Sequence, residues 1–154
     1  MQALRQQGYL SFFLTGAEND VFGCGLDRTI PDANEVVKVF GREPLRKVVD
    51  AAKRVHGPNL NLATPDLFAY KSAPDGVVTE SEFIEIKLLK DTLRDPQLAV
   101  LALIQEILKV RVSVVRYEQH EPTQGFPQPE PQAPRWTRTY PWPIPQYLRT
   151  EGLI

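Results

Sequence analysis

Two short stretches decide the fold of this chain: PDLFAY at residues 65–70 and FIEIKL at residues 83–88. Both are rich in apolar, aromatic and β-branched residues, and the turn-forming residues 74–76, Pro-Asp-Gly, lie between them. Runs of this kind around such a cluster are typical of two paired β-strands. We therefore predict a β-hairpin in the middle of the chain.

The second predicted strand carries an acidic and a basic side chain on one face. Side chains alternate along a strand, so Phe83, Glu85 and Lys87 share one face while the apolar residues between them share the other. We expect the ionic pair to point one way and a core-forming apolar set to point the other. Asp66, at the start of the first strand, is expected to face Glu85 across the hairpin.

Two carboxylates that converge beside an ammonium group indicate a site for a hard cation. Mg²⁺ usually keeps several waters, so Asp66, Glu85 and a backbone carbonyl, for which Ile86 is the natural donor, would be enough. A bound metal activates water and stabilises charge on a phosphate, while Lys87 would hold or polarise the nucleophile. An isolated Glu-x-Lys is more often a solvated strand face, so the flanking sequence has to support the interpretation.

The flanks extend the pattern. After Lys87 come DTLRDPQ at residues 91–97, an apolar helical pattern, and VSVVRY at residues 112–117. In order and spacing these blocks resemble the VRR-NUC family of PD-(D/E)XK nucleases, whose pattern is Gly-x-Pro-Asp-Leu, then Val-Glu-Val-Lys, then Asp-x-Leu-Ser-x-x-Gln and an amphipathic helix. The resemblance covers about residues 35–117 and looks most similar to the Fanconi-associated nuclease branch.

The resemblance implies an α/β fold with a restriction-endonuclease-like core, in which helices flank a mixed sheet. It also implies that Asp66 and Glu85 hold Mg²⁺ or Mn²⁺, that Lys87 assists the attacking water, and that Gln97 lies beside the site. Ala63 departs from the family pattern, where glycine is common, and this change affects the shape of the loop more than the chemistry.

Members of the family also use a glutamate on an early helix, and no motif fixes its position here. Glu35 is the preferred match because it opens a helical stretch at the usual distance before Asp66. Glu18 and Glu43 are alternatives. A glutamate at a helix start also interacts favourably with the helix dipole without any metal.

The net charge of −1 argues against a uniformly basic nucleic-acid-binding domain. One predicted helix nevertheless carries a basic cluster, consisting of Arg42, Arg46, Lys47, Lys53 and Arg54. These side chains would either contact a phosphate backbone or form the solvent face opposite the apolar stripe of the same helix.

The chain divides into a nuclease-like domain at residues 1–117, with its core at residues 34–117, and a tail at residues 118–154. Within the core we predict the order helix, helix, strand, strand, helix, strand, with Asp95 as the N-cap of the third helix and Pro96 at its first position. The extended tail is rich in proline and then in aromatic residues. It is expected to dock on the domain or on a partner.

Composition excludes several other classes of protein. With 154 residues and 42% apolar residues, the chain is long enough for one packed domain. Its single cysteine excludes an internal disulfide framework and a Cys-rich zinc site. We find no signal peptide or membrane-spanning pattern, so we expect action in the cytoplasm, no membrane partner, and delivery by a dedicated secretion machine if the protein leaves the cell.

The function expected from these features is that of a metal-dependent deoxyribonuclease. Some small VRR-NUC-like domains resemble toxic domains of type VI secretion effectors, which damage the DNA of competitors and are inhibited by an immunity protein. The abrupt start and the aromatic tail favour this antibacterial role slightly over a repair or phage structure-specific nuclease. A non-catalytic nucleic-acid or protein binding module on the same fold is the alternative of another class.

Overall fold

The predicted hairpin lies at the centre of a β-sheet with helices packed on it. The computed structural model describes residues 2–14, 22, 31–57, 64–117, 137–138, 146–150 and 152. The helices are α1 (Gln2–Gln6), α2 (Pro31–Phe40), α3 (Arg42–His56), α4 (Asp95–Leu108) and α5 (Gln146–Thr150). The strands are β1 (Leu10–Phe13), β2 (Leu67–Ser72), β3 (Val78–Leu88), β4 (Arg111–Tyr117) and β5 (Thr137–Arg138).

The sheet is mixed, and its strand order is β1-β2-β3-β4-β5. Neighbours pair antiparallel except β3 and β4, which are parallel and are connected by α4. Parallel neighbours need such a crossover, since a tight turn cannot return the chain to the same end of the sheet. The predicted α/β class and the element order between residues 34 and 117 are confirmed. Over the described residues, no helix combines the length and the apolar character required to cross a membrane.

Several element boundaries differ from the prediction. Helix α2 begins at Pro31, so Glu35 lies inside this helix and does not open it. Strand β3 has 11 residues and begins at Val78, because its pairing with β2 continues past the apolar run as far as Ser72. Helix α4 begins one residue earlier than expected, so Asp95 is its first helical residue and Arg94 is the N-cap, with an extended backbone (φ −82°, ψ 154°). Asp95 still stabilises the helix start, through its charge near the positive end of the helix dipole.

The larger hydrophobic core lies on the face of the sheet that carries Phe83, which corrects the expected arrangement. Helices α3 and α4 pack on this face and bury residues such as Val48 and Leu103 against Phe68 and Phe83. The opposite face, with Ile84, forms only a smaller cluster. The ionic residues therefore share their face with the main core, which two helices cover.

Phe83 should contribute strongly to stability. It is fully buried, and its ring centroid lies 4.9 Å from that of Phe68 and 5.8 Å from that of Phe40. Replacing Phe83 with alanine should lower the free energy of unfolding by about 3–5 kcal/mol, through lost burial and the cavity left behind. Phe13, which is 46% exposed, is the matched control. Equal effects of Phe83→Ala and Phe13→Ala on the midpoint of urea unfolding would contradict the placement of Phe83 in the core.

Segments from both ends of the chain complete the sheet and core. Strand β1 pairs with β2 and places Phe13 opposite Leu67. Strand β5, in the predicted tail, pairs with β4, and Leu148 of α5 is fully buried in the larger core. The described parts of the tail thus lie against the domain, while residues 118–136 and 139–145, with all eight of the tail's prolines, lie outside the described residues.

Candidate metal centre

The pairing of β2 with β3 sets Asp66 opposite Glu85. Leu67 pairs with Ile84, so the residue before Leu67 faces the residue after Ile84. The Asp66 backbone is fixed by the N–H of Leu14, which donates to its carbonyl at 2.9 Å. Its side chain is fixed as well, because the N–H of Ile86 donates to Oδ2 at 2.7 Å. One oxygen of the Asp66 carboxylate is therefore oriented by the strand that carries Glu85.

Glu85 is the most enclosed charged group of the site. It is 2% exposed, and its Oε1 accepts hydrogen bonds from Lys87 Nζ at 2.7 Å and from Gln97 Nε2 at 2.8 Å. The Lys87 side chain is 16% exposed, so most of it is withdrawn from solvent beside the buried carboxylate. The structure brings Asp66, Glu85, Lys87 and Gln97 together, as the sequence analysis predicted.

Gln97 lies on the first turn of α4, and its amide has a fixed orientation. The backbone N–H of Arg94 donates to Gln97 Oε1 at 3.2 Å, while Nε2 donates to Glu85. With its oxygen held by Arg94, the amide presents its nitrogen to the carboxylate. The start of α4 thus fixes one oxygen of Glu85 through a single buried side chain.

Burial makes both carboxylates costly to ionise. Burial raises the pKa of Asp66, although the Ile86 N–H and the Lys87 ammonium act in the opposite direction. Burial also raises the pKa of Glu85, as does the nearby Asp66 charge, while the hydrogen bond and charge of Lys87 lower it. The two carboxylates outnumber the single ammonium, so a cation placed between them would relieve both desolvation and mutual repulsion.

The donor set fits a hard divalent cation that keeps much of its water. Mg²⁺ is commonly held by one or two carboxylates, which Asp66 and Glu85 supply. Continuing the strand register sets Pro65 opposite Ile86, and proline has no N–H for the Ile86 carbonyl. The Ile86 carbonyl would therefore supply the third oxygen ligand for the cation. Among the described residues, no group of three or more His, Cys, Asp or Glu side chains gathers around a point, so protein carboxylates alone would not fill the coordination sphere.

Glu35 is not brought to this pair. It accepts a hydrogen bond from Tyr70 at 2.9 Å and pairs with Lys38, and the Lys38 hydrogen bond lowers its pKa. Tyr70 is four residues beyond Asp66, or about 13 Å along an extended strand. Of the alternatives, Glu43 pairs with Lys47 on an exposed helix surface, and Glu18 lies outside the described residues.

The predicted basic cluster lies on the solvent side of α3. All five of its members are exposed: Arg42, Arg46, Lys47, Lys53 and Arg54. The opposite side of this helix buries Leu45 and Val48 in the core. Exposure on one face is compatible with both of the predicted roles, phosphate contact or an ordinary solvent face.

Two contributors to the site were not found by sequence reasoning. Leu14 acts through its backbone N–H, and no side-chain pattern reveals such a contact. Arg116 lies on β4, and its guanidinium reaches the backbone of the loop between β3 and α4, a contact that no side-chain pattern reveals either.

The comparisons with known proteins supply no relative: no family model, no curated protein and no solved structure matches this chain. The geometry of the site is therefore the basis for proposing its chemistry.

Proposed function

We propose that this protein is a nuclease with a restriction-endonuclease-like core, which hydrolyses DNA phosphodiester bonds with Mg²⁺ or Mn²⁺. One observation carries the proposal. The half-buried carboxylate of Asp66 faces the buried carboxylate of Glu85, and the Lys87 ammonium contacts Glu85. Burial raises the pKa of both carboxyl groups. Lys87 balances only one of the two negative charges, so the second carboxylate is destabilising unless a cation is bound.

Each residue has a distinct part in this proposal. Asp66 and Glu85 supply oxygen ligands, and Gln97 keeps Glu85 in one orientation. A bound Mg²⁺ or Mn²⁺ would lower the pKa of a water and stabilise the charge that develops on the phosphate. Lys87, whose ammonium contacts Glu85, would orient the attacking water or offset the negative charge of the phosphate.

The exposed face of α3 is the proposed contact for the DNA backbone. Lysine and arginine side chains that contact phosphates release counterions, so their loss weakens binding to all sequences. Lys53→Ala/Arg54→Ala should lower the salt slope of log K by about 2 and leave cleavage at saturating DNA unchanged. DNA-binding titrations between low and moderate salt would measure this slope. An unaltered slope would indicate that these residues form only an ordinary solvent-exposed face of α3.

The test of the proposed function is cleavage of supercoiled plasmid by the purified protein. With Mg²⁺ or Mn²⁺ we expect nicked and linear products, and with EDTA we expect none. Binding of DNA without cleavage in either metal would instead support the non-catalytic binding module. Linear duplex, flap and junction substrates run in parallel would identify the preferred form of DNA.

The biological role is a separate proposal, in which the domain acts as an antibacterial toxin held in check by an immunity protein. Expression of the wild-type chain in bacteria should then be lethal and should induce the DNA-damage response. Asp66→Ala should be harmless at the same protein level. Normal growth of cells that contain active wild-type enzyme would favour the repair or phage role.

A further inference from the structure

The loop between β3 and α4 connects Lys87 to Gln97, and Arg116 of the neighbouring strand holds it. Arg116 pairs with Lys87 in the parallel register, and paired residues project to the same face of a sheet. Its Nη1 lies 3.4 Å from the carbonyl oxygens of Leu88 and Leu89 and makes its shortest contact with the carbonyl of Asp91. One nitrogen of the guanidinium thus lies within hydrogen-bond distance of three carbonyls, of Leu88, Leu89 and Asp91, and the Asp91 contact is the closest.

Backbone hydrogen bonds complete this anchor. The Leu89 N–H donates to the Tyr117 carbonyl, and the Asp91 N–H donates to the Leu88 carbonyl, each at 3.0 Å. Three residues after Asp91 the chain reaches Arg94, whose N–H holds Gln97 Oε1. The end of this loop therefore supplies the N–H that orients the Gln97 amide, and Gln97 donates to Glu85.

We infer that Arg116 is a positioning residue for the site, acting through the loop at residues 88–94 and through Gln97 to orient Glu85. This inference rests on the proposed nuclease function. An arginine on this face would also suit a direct phosphate contact. The observed contacts favour the positioning role, because the acceptors around Nη1 are all backbone carbonyls of residues 88–91.

Arg116→Lys is the informative substitution, since lysine keeps the charge but replaces the rigid, planar guanidinium with a compact ammonium on a flexible stem. Arg111→Lys is the matched control: Arg111 lies on the same strand, and its guanidinium is 3.7 Å from Glu80, which is not part of the site. Arg116→Gln serves as the second variant if lysine prevents folding. Hydrogen exchange of the peptide at residues 88–97 reports the loop directly, whether or not the protein cleaves DNA.

We expect faster exchange at residues 88–97 in Arg116→Lys and an unchanged rate there in Arg111→Lys. Cleavage by Arg116→Lys should fall about 10–100-fold, as for other groups that orient metal ligands. Binding of DNA in Ca²⁺ should stay within about twofold of wild type, because the charge is retained. The double variant Arg116→Lys/Gln97→Ala should be no slower than Gln97→Ala alone, since both act on Glu85 by one route.

The outcomes separate this inference from the proposed function. Unchanged exchange at residues 88–97 would overturn the inference even if the wild type cleaves DNA. Two other results would indicate that Arg116 contacts the DNA phosphate instead. One is a cleavage rate in Arg116→Lys/Gln97→Ala that is reduced by the product of the two single losses. The other is weakened DNA binding by Arg116→Lys with normal exchange at residues 88–97. A wild type that never cleaves would refute the nuclease, while the exchange measurement would still decide whether Arg116 holds the loop.

Discussion

Asp66→Asn should abolish metal-dependent cleavage and, in the same protein, raise the stability of the metal-free fold. Asparagine keeps an oxygen for the Ile86 N–H but removes a half-buried negative charge. Loss of a metal ligand should slow cleavage about 10³-fold or more, since the metal supplies several kcal/mol of transition-state stabilisation. The two opposite effects together are the signature of a residue kept for function at a cost in stability.

The stability gain should depend on pH in a defined direction. The pKa of Asp66 is raised in the folded state, so the folded protein holds this proton more tightly than the unfolded chain does. Its stabilising contribution is present at low pH and is lost as the pH rises through the raised pKa. The advantage of Asp66→Asn should therefore be absent in acid, below the usual aspartate value of 3.8, and should grow towards neutral pH.

Thermal unfolding in EDTA, compared across pH, measures this difference. Asp75→Asn is the matched control: Asp75 also follows a proline and accepts a backbone N–H, that of Val77 at 3.0 Å, but it is exposed. Added Mn²⁺ should raise the melting temperature of the wild type and of Asp75→Asn only. A destabilised Asp66→Asn at pH 7 would show that the Asp66 carboxylate serves the fold.

Lys87→Met should separate catalysis from metal binding. Methionine preserves much of the aliphatic stem and removes the ammonium that contacts Glu85 Oε1. Removing a positioned charge that stabilises the transition state typically costs about 10²–10³-fold in rate. Mn²⁺ binding at pH 8 should persist or tighten, because the competing cation is gone while both carboxylates remain.

Single-turnover cleavage and Mn²⁺ titration on the same preparation would give the two quantities. Lys90→Met is the control, since Lys90 is an exposed lysine three residues further along. Because Lys87 lowers the pKa of Glu85, metal binding by Lys87→Met should begin at higher pH than in the wild type. Parallel losses of binding and cleavage would mean that Lys87 only maintains the position of Glu85.

The central elements of the fold could be predicted because their signals are local. The strands and turn around residues 65–88 follow from composition and from the Pro-Asp-Gly cluster, and α4 follows from its proline near the start and its apolar residues. Strands β1 and β5 were not predicted. Each has four residues or fewer, and such short strands are defined by their partners in the sheet.

The side of the sheet that carries the main core was predicted wrongly, also for a non-local reason. Alternation along β3 shows that Phe83 and Ile84 lie on opposite faces, but both are apolar. Only the packing of α3 and α4 reveals which face is covered more deeply. The alternation of the sequence therefore shows which residues share a face of the sheet, but it does not show which face is more deeply buried.

At the site, the strand register explains what was predictable. Asp66 and Glu85 were expected to converge, and the pairing of Leu67 with Ile84 brings them together. Glu35 was matched by its distance along the sequence, which does not report distance in space, and it lies with Tyr70 instead. The contacts of Arg116 are to backbone carbonyls, which every residue possesses, so no residue pattern could have indicated them.

Titration of Mn²⁺ into metal-free protein, with free Mn²⁺ followed by electron paramagnetic resonance, tests the central claim most directly. The claim is that Asp66 and Glu85 form one divalent cation site. The wild type should remove Mn²⁺ from solution, and Glu85→Gln, which keeps the shape of the side chain and an acceptor oxygen, should bind it at least about tenfold more weakly. Equal uptake by both proteins, or no uptake by the wild type, would contradict the account.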